Sequence, residues 1–238
     1  MKKAVLFIHG LSAKKEDNIY FLEQMKKYHN IEIYSFTLPG HENDTVTKAT
    51  GKDWLEKSEN ELKKVLEHHK KVTIVAHSMG TILAVNLASR YKEVDKLVLL
   101  SSAFIFGNFK QNKDDLVKIL THHVDEEVGT GFEGALKKFF TIPKSVMIEY
   151  YRLAEHNKEN IKKIKCPTLI MHGSIDNVIP IKSSKFVYDN LNCRKDFVII
   201  ENVRHQIFKS KKKDKITKYI YNFITFNILY ELHKKKKI

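Results

Sequence analysis

The sequence predicts an α/β protein: a mostly parallel six-stranded sheet with helices on both faces and a helical insertion. Three observations carry that reading. Short apolar, largely β-branched runs recur along the chain, and most are followed by a stretch with helical spacing. The runs are apolar almost throughout, the pattern of strands covered on both faces. The interval between the fourth and fifth runs is too long for a simple crossover.

Taken in order, residues 3–8 form the first strand, which ends in His9-Gly10-Leu11-Ser12. Ile19, Leu22 and Met25 fall at helical spacing, giving a helix over about residues 17–28. Residues 31–37 make the second strand, closed by Leu38-Pro39-Gly40-His41-Glu42, and a helix over about 52–69 turns Trp54, Leu62 and Val65 inward. Strands four, five and six are expected at 96–100, 167–171 and 196–200, with helices near 182–190 and 213–233. The long interval 101–165 shows helical patches at 114–121, 133–140 and 145–156, and exposed-looking aromatics that include Phe104, Phe139, Phe140, Tyr150 and Tyr151.

The third strand organises the rest. Residues 71–90 read KVTIVAHSMGTILAVNLASR: a buried strand, four residues of reversal, then a helix. So tight a turn strains the backbone at its centre, Ser78, and demands small residues two before and two after, here Ala76 and Gly80. It lifts the Ser78 hydroxyl above the sheet at the N-terminus of the next helix. A serine hydroxyl needs a general base, and the base an orienting acid. In a parallel sheet both must come from loops at the same edge, where the strands end. The loop after strand five offers Asp176, and the loop after strand six offers His205. Asp189 and Asp196 fall at the wrong edge. His77 must point away from the hydroxyl beside it, and His172 is expected to bond locally. The Met79 N–H, at the start of the elbow helix, is positioned to stabilise an oxyanion.

With H-G at 9–10, A-H-S-M-G at 76–80, G-S-I-D-N-V-I-P at 173–180 and a histidine in the last loop, the chain resembles the α/β-hydrolase superfamily over nearly its whole length. Ala76 stands where the superfamily's G-x-S-x-G elbow has its first glycine. Its size, and P-G-H after strand two, bring it nearest to small bacterial carboxylesterases and monoacylglycerol-lipase-like serine hydrolases. The resemblance implies strand order 2-1-3-4-5-6, a core of residues 1–102 and 166–238, and a helical cap at 103–165. It assigns the second oxyanion donor to the Leu11 N–H and implies Ser78, Asp176 and His205 as the catalytic set. The implied activity is hydrolysis of carboxylic esters with short to medium acyl chains, monoglycerides among them, through an acyl-enzyme. Thioesterase, C–C hydrolase or aminopeptidase chemistry and a non-catalytic binding role stay open as alternatives; an aminopeptidase would need cap carboxylates, for which Glu126, Glu127, Glu133 and Glu149 are the candidates. Phe139 and Phe140 are the expected lining of an acyl pocket.

Composition narrows the partners. The formal net charge is +14, yet the lysines are spread, with runs only at 209–215 and 234–237, and no zinc-finger spacing, RNP motif or recognition helix appears. No nucleic-acid partner is expected. No histidines carry a metal-ligand pattern, so neither metal nor cofactor is expected. Cys166 and Cys193 have no redox or metal spacing and read as free cytosolic thiols. The apolar run at 4–8 is too short for a signal peptide, and no stretch reaches the length of a membrane span, so a cytoplasmic location is expected. Membrane-surface contact would account for the basic C-terminus, but it needs an exposed apolar face that the sequence does not locate.

Overall fold

In a computed structural model, residues 2–11, 13, 18–43, 46–105, 142–226 and 236–237 are described. The strands are β1 (Lys3–Ile8), β2 (Ile31–Ser35), β3 (Val72–His77), β4 (Val94–Leu100), β5 (Thr168–Gly173) and β6 (Lys195–Ile200). All pair in parallel, in the order β2-β1-β3-β4-β5-β6, as the sequence led us to expect. A two-residue strand that the sequence did not announce, β7 (Lys236–Lys237), extends the sheet beyond β6.

Alternation along the strands divides the core into two layers. Val5, Phe7, Val75 and Val98 face α1 (Ile19–Lys26) and a later helix, α6 (Lys213–Phe226), where Phe21 stacks on Phe208 at 4.6 Å. Leu6, Ile8, Ile74 and Ala76 face α2 (Gly51–Leu66), α3 (Gly80–Arg90) and α5 (Ile181–Asn190). The α2 helix begins with a capping box: the Asp53 N–H donates to Thr50 Oγ1 at 3.2 Å, and the Thr50 N–H donates to Asp53 Oδ2 at 2.8 Å. Such a cap is worth about 1 kcal/mol. Its apolar stripe buries Trp54 completely, with the indole N–H donating to the Pro39 carbonyl at 3.0 Å.

The α3 helix is buried on nearly every side because α4 (Lys144–Asn157) packs over its outer surface, tied by Asn86 to Asn157 at 2.7 Å. That packing corrects part of the sequence reading. Phe104 is fully buried and Tyr150 is 4% exposed, so neither belongs to an exposed aromatic surface. Helix α4 answers the patch expected at 145–156, whereas those at 114–121 and 133–140, with Phe139 and Phe140, lie outside the described residues. On β4, Lys96 is buried and donates to the Phe223 and Ile224 carbonyls at 3.0 and 2.5 Å, closing the C-terminal end of α6. Burial pushes its pKa down to about 8.

Candidate active site

The edge where the strands end brings the sequence-singled loops together. Ser78 follows β3 directly at φ 53, in the left-handed region, the strain expected for a tight strand-to-helix reversal. Its N–H donates to the Leu100 carbonyl at 2.9 Å, and its own carbonyl accepts from Thr81 Oγ1 at 2.6 Å. Two glycines let the neighbouring chain come this close. A Cβ on Gly80 would stand 2.5 Å from the His9 carbonyl oxygen, and one on Gly10 would stand 2.8 Å from Ser78 Cβ. The requirement for a small residue at position 80 is therefore a contact with the loop after β1. Ser78 is 7% exposed.

His9 shapes that loop. Its Nε2 accepts from the Leu38 N–H at 2.9 Å, so the proton is on Nδ1, which faces the Gly10 carbonyl at 2.8 Å. A planar trans peptide directs its N–H opposite to its C=O, so the Leu11 N–H is aimed away from the His9 ring. Met79 is the N-cap residue of α3, where the first N–H groups lack intrahelical acceptors and the helix dipole is positive.

His205 and Asp176 are joined directly. His205 Nδ1 lies 2.9 Å from Asp176 Oδ2 and 3.1 Å from Oδ1. Burial works to raise the Asp176 carboxyl, but the charge and hydrogen bond of His205, with His172 and the Ile179 N–H, overcome it and hold it well below the usual carboxylate range. Asp176 Oδ1 also accepts from the Val178 and Ile179 N–H groups, both at 2.9 Å, which fixes the carboxylate. Among the described residues no hydrogen bond joins the His205 ring to Ser78 Oγ; its Nδ1 edge is engaged and its Nε2 edge is not.

Two histidines support this couple. His172 Nε2 donates to the Ile179 carbonyl at 3.0 Å, and its Nδ1 accepts from Ser184 Oγ at 2.7 Å, pinning the acid loop to α5 as a local bond. His77 does more than the sequence reading allowed: its Nε2 donates to the His205 carbonyl at 2.9 Å, and the two rings lie 4.7 Å apart. Burial and the His205 charge press the His77 pKa down to about 3. The acid and histidine loops also touch at Gly173, where a Cβ would fall 2.1 Å from the Val203 carbonyl oxygen. Glu149 of α4 accepts from the Gly51 N–H at 3.1 Å and pairs with Arg152 at 3.0 Å. Asp189, at the end of α5, pairs with Lys185 on the far side of the molecule's chemistry. Among the described residues no cluster of three or more His, Cys, Asp or Glu could hold a metal ion.

Comparison with known proteins agrees with this architecture. The family model described as alpha/beta hydrolase fold matches residues 3–127, just over half of the chain, and that of serine aminopeptidase, S33, matches residues 139–212. A Mycoplasma genitalium protein named as an esterase/lipase is 25% identical over 231 residues, spanning 84% of this chain and 84% of its own. The pimeloyl-[acyl-carrier protein] methyl ester esterase of Wigglesworthia glossinidia brevipalpis is 23% identical over 240 residues, 87% of this chain and 88% of its own. The crystal structure of the Paleococcus ferrophilus monoacylglycerol lipase superposes with a TM-score of 0.73 at 16% identity, covering 94% of this chain and 95% of the other, a likeness of fold.

Proposed function

This chain belongs to the α/β-hydrolase fold family, and on that premise we propose that it is a serine hydrolase of carboxylic esters acting through Ser78, His205 and Asp176. The observation that carries the reading is the buried Asp176–His205 couple on the edge where Ser78 sits at strained backbone angles. The Ser78 hydroxyl attacks the ester carbonyl while His205 Nε2 takes its proton. Asp176 holds the ring with the proton on Nδ1 and stabilises the imidazolium. The N–H groups of Met79 and Leu11 receive the oxyanion. His205 returns the proton to the departing alcohol, and water then cleaves the acyl-enzyme along the same path. A turn of the Ser78 hydroxyl or the His205 ring on substrate binding closes the bond between them, as such contacts tighten in the loaded site.

Small-molecule esters are the substrate class that the named relatives support, the esterase/lipase and methyl ester esterase above all. We assign residues 103–165 to a cap: Val146 and Tyr150 of α4 share one core cluster with Met79, which supports seating α4, the described helix of this segment, over the elbow helix. The serine aminopeptidase match favours a second reading, cleavage beside a free amine. Of its candidate carboxylates, Glu149 is already committed to Gly51 and Arg152, and Glu126, Glu127 and Glu133 lie outside the described residues. The test is a fluorophosphonate probe followed by p-nitrophenyl esters of increasing acyl length. Labelling confined to Ser78, with turnover lost in Ser78→Ala, supports the reading. An unlabelled protein, or one that cleaves aminoacyl p-nitroanilides and not esters, overturns it.

A further inference from the structure

Of the six large hydrophobic side chains exposed among the described residues, five sit toward one edge. Ile19 opens α1, Ile175 and Val178 flank Asp176, Ile181 opens α5, and Ile148 is beside Glu149, which bonds the first turn of α2. In a parallel sheet these loops and helix starts all lie where the strands end, the edge that carries Ser78. The sixth, Phe226, ends α6 at the opposite edge.

The same edge carries concentrated positive charge. Segment 201–218, which begins where β6 ends, holds Arg204 and lysines 209, 211, 212, 213, 215 and 218 against two carboxylates, Glu201 and Asp214. Asp214 is taken by the Tyr20 hydroxyl. Several lysines elsewhere meet carboxylates: Lys57 and Lys64 meet Glu61, Lys63 meets Glu59, Lys158 meets Glu155, and Lys185 meets Asp189. Others among the described residues, such as Lys70 and Lys165, do not; the C-terminal segment differs in its density. Among the described residues Lys209, Lys211, Lys215 and Lys218 pair with no carboxylate and are exposed. The two features are contiguous. Lys213 lies over the Tyr20 ring, next to Ile19, at 4.4 Å, and the Ile175 N–H donates to the Val203 carbonyl, inside the loop that leads to the lysines.

We infer that this edge docks on an anionic lipid surface, with the aliphatic side chains entering the headgroup boundary and the lysines meeting lipid phosphates. The mixture selects that occupant. A nucleic acid would use the charge and not the aliphatic side chains, and a protein partner would bury them in one contiguous apolar patch, whereas separate aliphatic side chains spread between the loops beside a dense lysine run suit an interfacial membrane contact. The inference stands apart from the ester reading, because docking is measured without turnover.

The experiment is cosedimentation of the Ser78→Ala protein with phosphatidylcholine vesicles, with and without phosphatidylglycerol. Binding is expected only with the anionic lipid. A Lys209→Glu/Lys211→Glu/Lys215→Glu/Lys218→Glu variant should lose about fivefold in affinity per lysine. An Ile19→Ser/Ile181→Ser variant should lose about tenfold while keeping its salt dependence. No sedimentation with anionic vesicles overturns the inference, as does unchanged binding by the lysine variant. Binding that is insensitive to the isoleucine changes and equalled on heparin also overturns it, since charge alone would then hold an anionic macromolecule.

Discussion

His77 holds the main chain of His205: its Nε2 donates to the His205 carbonyl at 2.9 Å across 128 residues of sequence. The residue before the candidate nucleophile thus anchors the backbone of the candidate base. Replacing it with phenylalanine leaves a buried carbonyl unpaired, at a cost of about 1–3 kcal/mol. We expect His77→Phe to lower kcat more than it changes KM, and His77→Gln, which retains a donor, to recover much of the loss. If the two variants turn over p-nitrophenyl esters equally, the bond is not positioning His205.

Acid should unfold this protein early. His77 is held neutral with its pKa near 3, and burial lowers His41 and His172 as well. Between the unfolded value of about 6.5 and the folded one, the unfolded chain binds a proton that the folded chain refuses, so stability falls as pH falls through that window. His77 alone should remove about 2 kcal/mol between pH 7.5 and pH 5. Asp176, whose carboxyl is likewise held low, adds its loss only below about pH 3.9. Thermal unfolding across this range should show a falling Tm, with a shallower slope in His77→Gln; a Tm that is flat down to pH 5 would contradict the assignment of these rings as buried and neutral.

The two aspartates near the last loops should behave oppositely. Asp176→Asn removes the group that fixes the His205 tautomer, and turnover should fall by several orders of magnitude, about 10⁴ in the best-studied case of another enzyme. Asp189→Asn breaks only an exposed pair with Lys185, worth about 0–1 kcal/mol. Comparable losses of kcat in the two variants would place the acid elsewhere.

Gly10→Ala and Gly80→Ala separate access from folding. At position 80 the methyl meets backbone at 2.5 and 2.6 Å, which cannot yield cheaply, so soluble folded protein should be scarce. At position 10 the close contacts are Ser78 Cβ at 2.8 Å and the His77 carbonyl oxygen at 3.2 Å, with Ser78 Oγ at 3.5 Å. That variant should fold, with circular dichroism close to wild type, and lose fluorophosphonate labelling. Normal labelling of Gly10→Ala would mean that the loop after β1 stands clear of the nucleophile.

How much of this could be read from the chain depended on the range of the forces involved. The strand at 72–77 and the strain at Ser78 are local, set by a β-branched run and by the few residues available for the turn. They were legible. The acid and base candidates followed from topology, and the side chains of Asp176 and His205 do meet. The burial of Phe104 and Tyr150 was not legible, because it depends on α4 lying across α3, a contact between segments distant in sequence. Nor was the bond from His77 to His205, since strand alternation says which way a ring points but not which loop crosses above it. Lys96, the first residue of the expected fourth strand, lies inside β4 as the buried donor that closes α6, a contact its place in the sequence does not announce.

The contact between Gly173 and Val203 has a consequence for how such a molecule can be altered. Because the two chains nearly touch there, the spacing of acid and base is inherited from the β5–β6 register, which pairs Gly173 with Ile200, and not from the lengths of the loops. A single methyl at position 173 would therefore push the loops that carry Asp176 and His205 apart.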